Sequence, residues 1–273
     1  MADLKVAIAG AGGKMGAAVA RVIHATHDPD GSLVVVAAFD REGSPAIGRT
    51  LGDVAGLDSV NMRVTASLED ALSDADAIID FSAPANSVAL ARLASAKGLI
   101  HIIGTTGCSV EDDATIADAA KAGAIIVKAG NFSLGLNLLL GLVKKAAAEL
   151  PGFDVEILEM HHNRKVDAPS GTALMLGEAA ANGRGLDLAS HAVRVRDGHT
   201  GARLPGSIGF ASLRGGNVIG EHKVILAGPS ERLELTHIAD NRALFAEGAV
   251  RAALWARDQK PGLYSMADVL GLN

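Results

Sequence analysis

The sequence predicts an α/β protein in which a doubly wound parallel sheet is followed by a second, α+β domain with a mixed or antiparallel sheet. Three observations predict it. From Leu4 to Val127 short apolar strands alternate with helical patterns, and a glycine-rich turn joins the first strand to the first helix. Past Pro151-Gly152 strands follow one another with few helices between them. Regular alternation gives a parallel sheet covered on both faces, and the later change of pattern marks a second domain.

Leu4 to Ala9 is an apolar strand that runs into Gly10-Ala11-Gly12-Gly13-Lys14-Met15-Gly16, after which Val19, Val22 and Ile23 repeat at helical spacing. Strand, glycine turn and helix stand in dinucleotide-binding order, so the first domain is read as Rossmann-like. Met15 takes the place of the third glycine of the usual pattern, and the glycines fall at G-x-x-G-x-x-G with Gly12 extra. The mechanism survives this change: glycine permits the turn and lets backbone amides approach a pyrophosphate at the helix start. Alone, the loop fits a plain tight turn equally well. The second strand, Leu33 to Phe39, shifts the balance, being almost continuously apolar as a buried parallel strand should be and ending in Asp40-Arg41. An acidic residue there can hold the adenosine ribose, and Arg41 can meet a 2'-phosphate, so NADH and NADPH both stay open. The competing explanation is a solvated charged turn.

Glu42 to Arg63 is irregular and reads as a surface excursion with a short strand near Val64. Alternation then resumes: strand Ala77 to Phe81, helix Asn86 to Ala96, strand Leu99 to Ile103, helix Asp112 to Ala122, strand Ala124 to Val127. Small hydrogen-bonding residues recur after the strands, at Phe81-Ser82-Ala83-Pro84, Gly104-Thr105-Thr106-Gly107 and Ala129-Gly130-Asn131-Phe132. Carboxyl ends of strands are the edge where open parallel sheets bind ligands.

Ser133 to Leu150 reads as a helix with Ser133 as N-cap and Pro151-Gly152 as its stop. The strands expected beyond it are Asp154 to Met160, Ala192 to Arg196, Ser207 to Leu213, Val218 to Leu226 and Arg232 to His237. Val224, Leu226, Leu233 and Leu235 alternate with polar neighbours, so one sheet face is expected to be wet or pressed against another subunit. Asn241 to Arg257 returns to a helix, with Leu244, Phe245, Val250 and Leu254 as its apolar stripe, and is placed back on the first domain. The expected boundaries are 1–130 with 240–273 for a dinucleotide-binding domain, and 131–239 for a substrate-binding and oligomerisation domain.

Chemistry concentrates in Glu159 to Ala173, a loop between an apolar strand and a helix. Ser170 sits where an N-cap would leave the amides of Gly171 and Thr172 facing a ligand, and a helix start of that kind attracts carboxylate or phosphate. His161, His162, Arg164 and Lys165 stand a few residues away. An anionic substrate that also needs a proton explains this grouping; a solvated basic turn with an ordinary cap is the bland alternative.

Composition narrows the partners. A formal charge of -6 with 3% aromatic residues gives no basic footprint for nucleic acid. A single cysteine, Cys108, allows no internal disulfide and suits a reducing compartment. Met1-Ala2-Asp3 runs into the first strand without a basic leader, and the apolar stretch Leu134 to Val143 is well short of the roughly 20 residues of a membrane span. A cytoplasmic protein without membrane contact is expected.

Together, G-A-G-G-K-M-G from Gly10, G-T-T-G from Gly104, A-G-N-F-S from Ala129, H-H-N-R-K-V-D-A-P-S-G-T-A from His161 and G-E-H from Gly220 closely resemble the dihydrodipicolinate reductase family, from the first strand to Asp268–Asn273. The resemblance implies NADH- or NADPH-dependent reduction of a small cyclic imine dicarboxylate in diaminopimelate and lysine biosynthesis, by a homotetramer assembled through second-domain sheets. It implies that His161 is the general acid with Lys165 its companion, and that His162, Gly171 and Thr172 clamp a substrate carboxylate. It further implies cofactor contacts from Gly10, Ala11, Gly12, Gly13, Lys14, Met15, Asp40, Arg41, Gly104, Thr105, Thr106, Lys128, Ala129, Gly130 and Asn131. Aspartate stands at position 40 where the family often has glutamate, and Asn163-Arg164 is a spacer without an assigned role. His101, His191, His199, His222 and His237 are read as structural or interfacial. No metal is expected, because neighbouring histidines on a strand point to opposite faces and no H-E-x-x-H or H-x-H motif occurs. A non-catalytic nucleotide sensor could use the same sheet, but it would not need His161 and Lys165 beside an anion-binding helix start.

Overall fold

The computed structural model describes residues 3–25 and 33–272; Met1, Ala2 and Asn273, named above, lie outside them. The chain divides into two compact units, Met1–Leu134 with Ala243–Asn273, and Gly135–Arg242.

In the first unit the elements run β1 (Leu4–Ala9), α1 (Lys14–Ala25), β2 (Leu33–Phe39), α2 (Leu51–Ala55), β3 (Val64–Thr65), α3 (Leu68–Ala71), β4 (Ala77–Asp80), α4 (Pro84–Lys97), β5 (Ile100–Ile103), α5 (Val110–Lys121) and β6 (Ile125–Lys128). The second unit holds α6 (Leu134–Glu149), apart from its first residue, then β7 (Asp154–His161), α7 (Gly171–Arg184), α8 (Leu188–His191), β8 (Ala192–Val193), β9 (Ile208–Arg214), β10 (Glu221–Ala227) and β11 (Arg232–Ile238). The chain then re-enters the first unit as α9 (Ala243–Ala256), β12 (Gly262–Tyr264) and α10 (Met266–Val269).

The first sheet is seven-stranded in the order β12-β6-β5-β4-β1-β2-β3, and every described pairing in it is parallel. Its central strands β4 and β5 are buried on both faces, which is why they read as continuous apolar runs. One face packs on α1 and α9 through Val6, Ile8, Val19, Ile79, Ile102 and Val250; the other packs on α4 and α5 through Ile78, Leu90, Ile103 and Ile116. The excursion from Glu42 contains α2, capped by Thr50 in a capping box with Asp53.

Three local expectations are corrected. β12 was not foreseen, because three residues after Pro261 carry no period, yet they pair in register with Ile125, Ile126 and Val127. The strand expected from Ala192 to Arg196 is only Ala192–Val193, since Arg196 turns away to pair with Glu156. On α9 only Val250 of the expected stripe is buried, and the sealed face is Ala246, Gly248, Ala249, Ala252, Ala253 and Ala256. Small residues let that helix approach closely: a β-carbon on Gly248 would run into the Phe132 carbonyl.

The second sheet is mixed, ordered β11-β10-β7-β9-β8, antiparallel at β11/β10 and β10/β7 and parallel at β7/β9 and β9/β8. One face buries Val155, Ile157, Phe210, Val224 and Leu226 beneath Leu136, Leu139, Ala173 and Leu176 of α6 and α7. The opposite face exposes Leu213 and Ile238 among half-buried Leu158, Met160 and Ile225.

Candidate active site

Because the first sheet is parallel, the carboxyl ends of β1, β2, β4, β5 and β6 share one edge, and the turn from Gly10 to Met15, Asp40-Arg41, Gly104 to Thr106 and Lys128 to Asn131 all lie along it. Gly10 has φ +73 and leads the turn, with its amide and that of Ala11 donating to the Phe39 carbonyl at 3.0 and 3.1 Å. A β-carbon on Gly10 would sit 2.8 Å from the Phe81 carbonyl oxygen, and one on Gly16 would strike the Gly10 carbonyl, so only glycine closes this turn against the helix. Asp40 is tied to the turn: its Oδ2 accepts from Gly12 N at 2.9 Å and its Oδ1 from Arg41 N at 2.8 Å. Lys128 pairs with Asp113 of α5 at 3.0 Å.

Beneath this edge lies a polar group the sequence analysis did not single out. Asp80, at the end of β4, is fully buried and accepts from Ser82 N (3.0 Å), Ser82 Oγ (2.5 Å), Ser87 Oγ (2.5 Å) and Thr105 Oγ1 (3.3 Å), with His101 Nε2 at 3.2 Å. Burial alone would raise the Asp80 carboxyl, but hydrogen bonds from His101, Ser82 and Ser87 outweigh it and hold it below the usual carboxylate range. The pair locks the loops after β4 and β5 to each other, and Thr105 with them.

In the second unit β7 ends at His161, and His162 and Lys165 follow in the loop to α7. Ser170 caps α7, its Oγ accepting from Ala173 N at 3.1 Å, so Gly171 and Thr172 form the helix's first turn. The Ala168–Pro169 peptide just before is cis. Lys165 Nζ pairs with Asp167 at 2.8 Å, and its amide donates to the His162 carbonyl at 3.1 Å. Burial, with Arg164 and Arg242 nearby, lowers the His162 imidazole below its ordinary value.

Sequence reasoning missed what stands behind His161. Glu159 Oε2 is 2.5 Å from His161 Nδ1, Arg214 donates to both Glu159 oxygens at 2.8 Å, and Ser170 N donates to Oε1 at 3.2 Å. His222, read as structural, packs edge-on against His161 with ring centroids 5.1 Å apart and lies 3.1 Å from Ser170 Oγ. Burial and the neighbouring His161 pull the His222 imidazole down to about 4. A signal for Glu159 existed, since an acidic residue stands in a strand position that alternation sends inward with Val155 and Ile157. Arg214 is 55 positions away and becomes a neighbour only through the register of β7 with β9.

Among the described residues no three His, Cys, Asp or Glu side chains gather as a metal site, and no helix is long and apolar enough to cross a membrane. The first edge does fit a dinucleotide: glycines at 10, 12 and 16 let the turn pack closely against Phe81, Asp40 and its own backbone, so that α1 starts directly at the carboxyl edge of the sheet, and a helix start there favours a phosphate. An NAD(P)H-dependent oxidoreductase is the class this architecture defines.

Comparison with known proteins agrees. A family model described as dihydrodipicolinate reductase, N-terminus, matches residues 4–132, and its C-terminal counterpart matches residues 135–270. The 4-hydroxy-tetrahydrodipicolinate reductase of Rhizobium meliloti (strain 1021) is 55% identical over 273 residues, covering 99% of this chain and 98% of its own. That of Rhizobium rhizogenes (strain K84 / ATCC BAA-868) is 57% identical over 272 residues, covering 99% and 97%. A solved structure, dipicolinate-bound dihydrodipicolinate reductase from Paenisporosarcina sp. TG-14, superposes with TM-score 0.77 at 26% identity, covering 97% of this chain and 98% of its own. The chain belongs to the dihydrodipicolinate reductase family.

Proposed function

We infer that the chain reduces 4-hydroxy-tetrahydrodipicolinate to tetrahydrodipicolinate with NADH or NADPH, a step of diaminopimelate and lysine biosynthesis. The observation that carries this is likeness over the whole chain to reductases of that name, joined to a loop that sets a histidine and a lysine beside a capped helix start. The solved relative is described as dipicolinate bound, and a planar ring with two carboxylates suits the same loop here.

The first unit takes the cofactor on the edge from Gly10 to Asn131, with Asp40 for the ribose hydroxyls and Arg41 for a 2'-phosphate; support for this is their position at the carboxyl end of β2 beside the glycine turn. When bound, the dihydronicotinamide supplies hydride to the substrate ring. The second unit takes the cyclic imine dicarboxylate. Gly171 and Thr172 amides at the positive end of α7, with His162, hold one carboxylate. Lys165 can move from Asp167 to substrate oxygen and favour the developing negative charge. His161, 8% exposed, gives the proton that the electron-rich ring then needs.

The enzyme works as a homotetramer in the cytoplasm. Support for the assembly is the open face of the second sheet, where Leu213 and Ile238 are exposed beside half-buried Leu158, Met160 and Ile225. Loss of dihydronicotinamide absorbance on adding the cyclic imine, measured with each cofactor, tests the activity, and no loss with either refutes it. Sedimentation gives the subunit number.

A further inference from the structure

Glu159 and His161 leave the same face of β7, two residues apart, on the side that carries Val155 and Ile157 into the core. A carboxylate in such a place is costly unless its oxygens are engaged. Glu159, 1% exposed, is engaged by both terminal nitrogens of Arg214, by Ser170 N and by His161 Nδ1. Burial alone would raise its carboxyl, but the bonds from Arg214, Ser212 and His161 outweigh that and hold it down to about 2. So weak a base leaves the Nδ1 hydrogen on the imidazole.

We propose that Glu159 is a positioning residue for proton delivery: by accepting the Nδ1 hydrogen of His161 it fixes the ring's tautomer and plane, so that Nε2 is the nitrogen that gives up its proton. The proposal rests on His161 being the proton donor. Nε2 points to Gly220, where a β-carbon would lie 3.2 Å away, so glycine keeps that side of the ring open. In the proton step the imidazolium begins with a hydrogen on each nitrogen. The Nε2–H bond breaks, its electron pair stays on nitrogen, and the enamine's electron pair forms the new C–H bond. What remains is neutral imidazole with Nδ1–H still on Glu159, and water restores the lost proton.

Arg214 holds the carboxylate plane with two parallel bonds, while Ser170 N ties the same carboxylate to the cap of α7. One buried group thereby references the proton donor to the helix start that grips the substrate. Of the other charged or titratable groups, Arg214 from β9 lies behind Glu159, His222 from β10 packs on the ring and His162 follows it in the loop, with His237 of β11 and Lys165 acting on His222. His222, pulled down to about 4, is neutral at working pH and does not compete as a cation.

The test is steady-state kinetics across pH for wild type, Glu159→Gln, His161→Gln and the double variant. Glu159→Gln should lower kcat about 10- to 100-fold with KM nearly unchanged, and alter the pH profile of kcat, because the ring is no longer held in one tautomer. In the His161→Gln background it should cost nothing more. An unchanged kcat and pH profile in Glu159→Gln, or losses that multiply in full in the double variant, overturn the positioning role while leaving His161 as donor. An unchanged kcat in His161→Gln overturns the reading beneath it. If Glu159→Gln does not fold, nitrogen NMR of histidine-labelled wild type decides the matter, with His161 assigned by its absence from the His161→Gln spectrum. Hydrogen on Nδ1 of the neutral ring supports the proposal, and hydrogen on Nε2 overturns it.

Discussion

Each unit buries one carboxylate against one imidazole at the end of a strand, and the two pairs are built for different ends. Asp80 meets His101 through Nε2, both side chains have no exposure at all, and the remaining bonds come from hydroxyls and an amide of neighbouring loops and of α4. Glu159 meets His161 through Nδ1, and a guanidinium on its other side balances the charge. His161 retains 11% side-chain exposure. A sealed pair with neutral partners can only hold things in place. A pair with a counter-charge behind it and an imidazole that keeps some exposure can exchange a proton.

The comparison breaks most sharply under histidine replacement. His161→Gln is expected to lower kcat by about 10² to 10⁴ and leave KM nearly alone, whereas His101→Gln should leave kcat within about tenfold and appear instead as a lower Tm. Equal kcat losses would show that both imidazoles take part in chemistry. Asp80→Ala comes next, because it strands the buried Ser87, Thr105 and His101 in a dry place; a loss of about 3–5 kcal/mol in denaturant unfolding is expected. A third measurement is stability against acid. Glu159 is held at about 2, below its ordinary 4.5, so the stability it contributes is complete above about pH 5 and lost as pH falls toward 2, on the order of 3 kcal/mol. Glu159→Gln should flatten that fall, and an unaltered acid transition would place the titration elsewhere. The smallest effect concerns Asp40, a carboxylate with no imidazole. Asp40→Ala should raise KM for NADH about tenfold and for NADPH less. Equal increases would mean that its bond to Gly12 N, shaping the turn, is its whole contribution.

Much of the parallel sheet was legible because its strands are continuous apolar runs separated by capped helices, and period and turn chemistry are local. The family was legible from the loop around His161. What local pattern could not carry was long-range register. β12 is three residues without a period and becomes a strand only because β6 offers an unpaired edge. On α9 large residues drew attention while alanine and glycine did the sealing, since close approach of helix and sheet favours small side chains. Arg214 and His222 enter the surroundings of His161 through pairings of β7 with β9 and β10 that no spacing in the sequence announces. Glu159 stood in view two residues from His161 and was passed over, although its inward position among apolar neighbours was itself the clue.

The return of the chain into its first unit bears on how the molecule is made. Ala246, Ala249, Val250 and Ala253 of α9 and Met266 and Val269 of α10 belong to the same apolar cluster as Val6, Ile8 and Val19. A ribosome therefore releases the whole intervening unit before it supplies the last pieces of the nucleotide-binding half. Early in synthesis that half waits with one face of its sheet covered by α1 alone, so the nascent polypeptide depends on shielding, by chaperone or by speed, until its tail emerges.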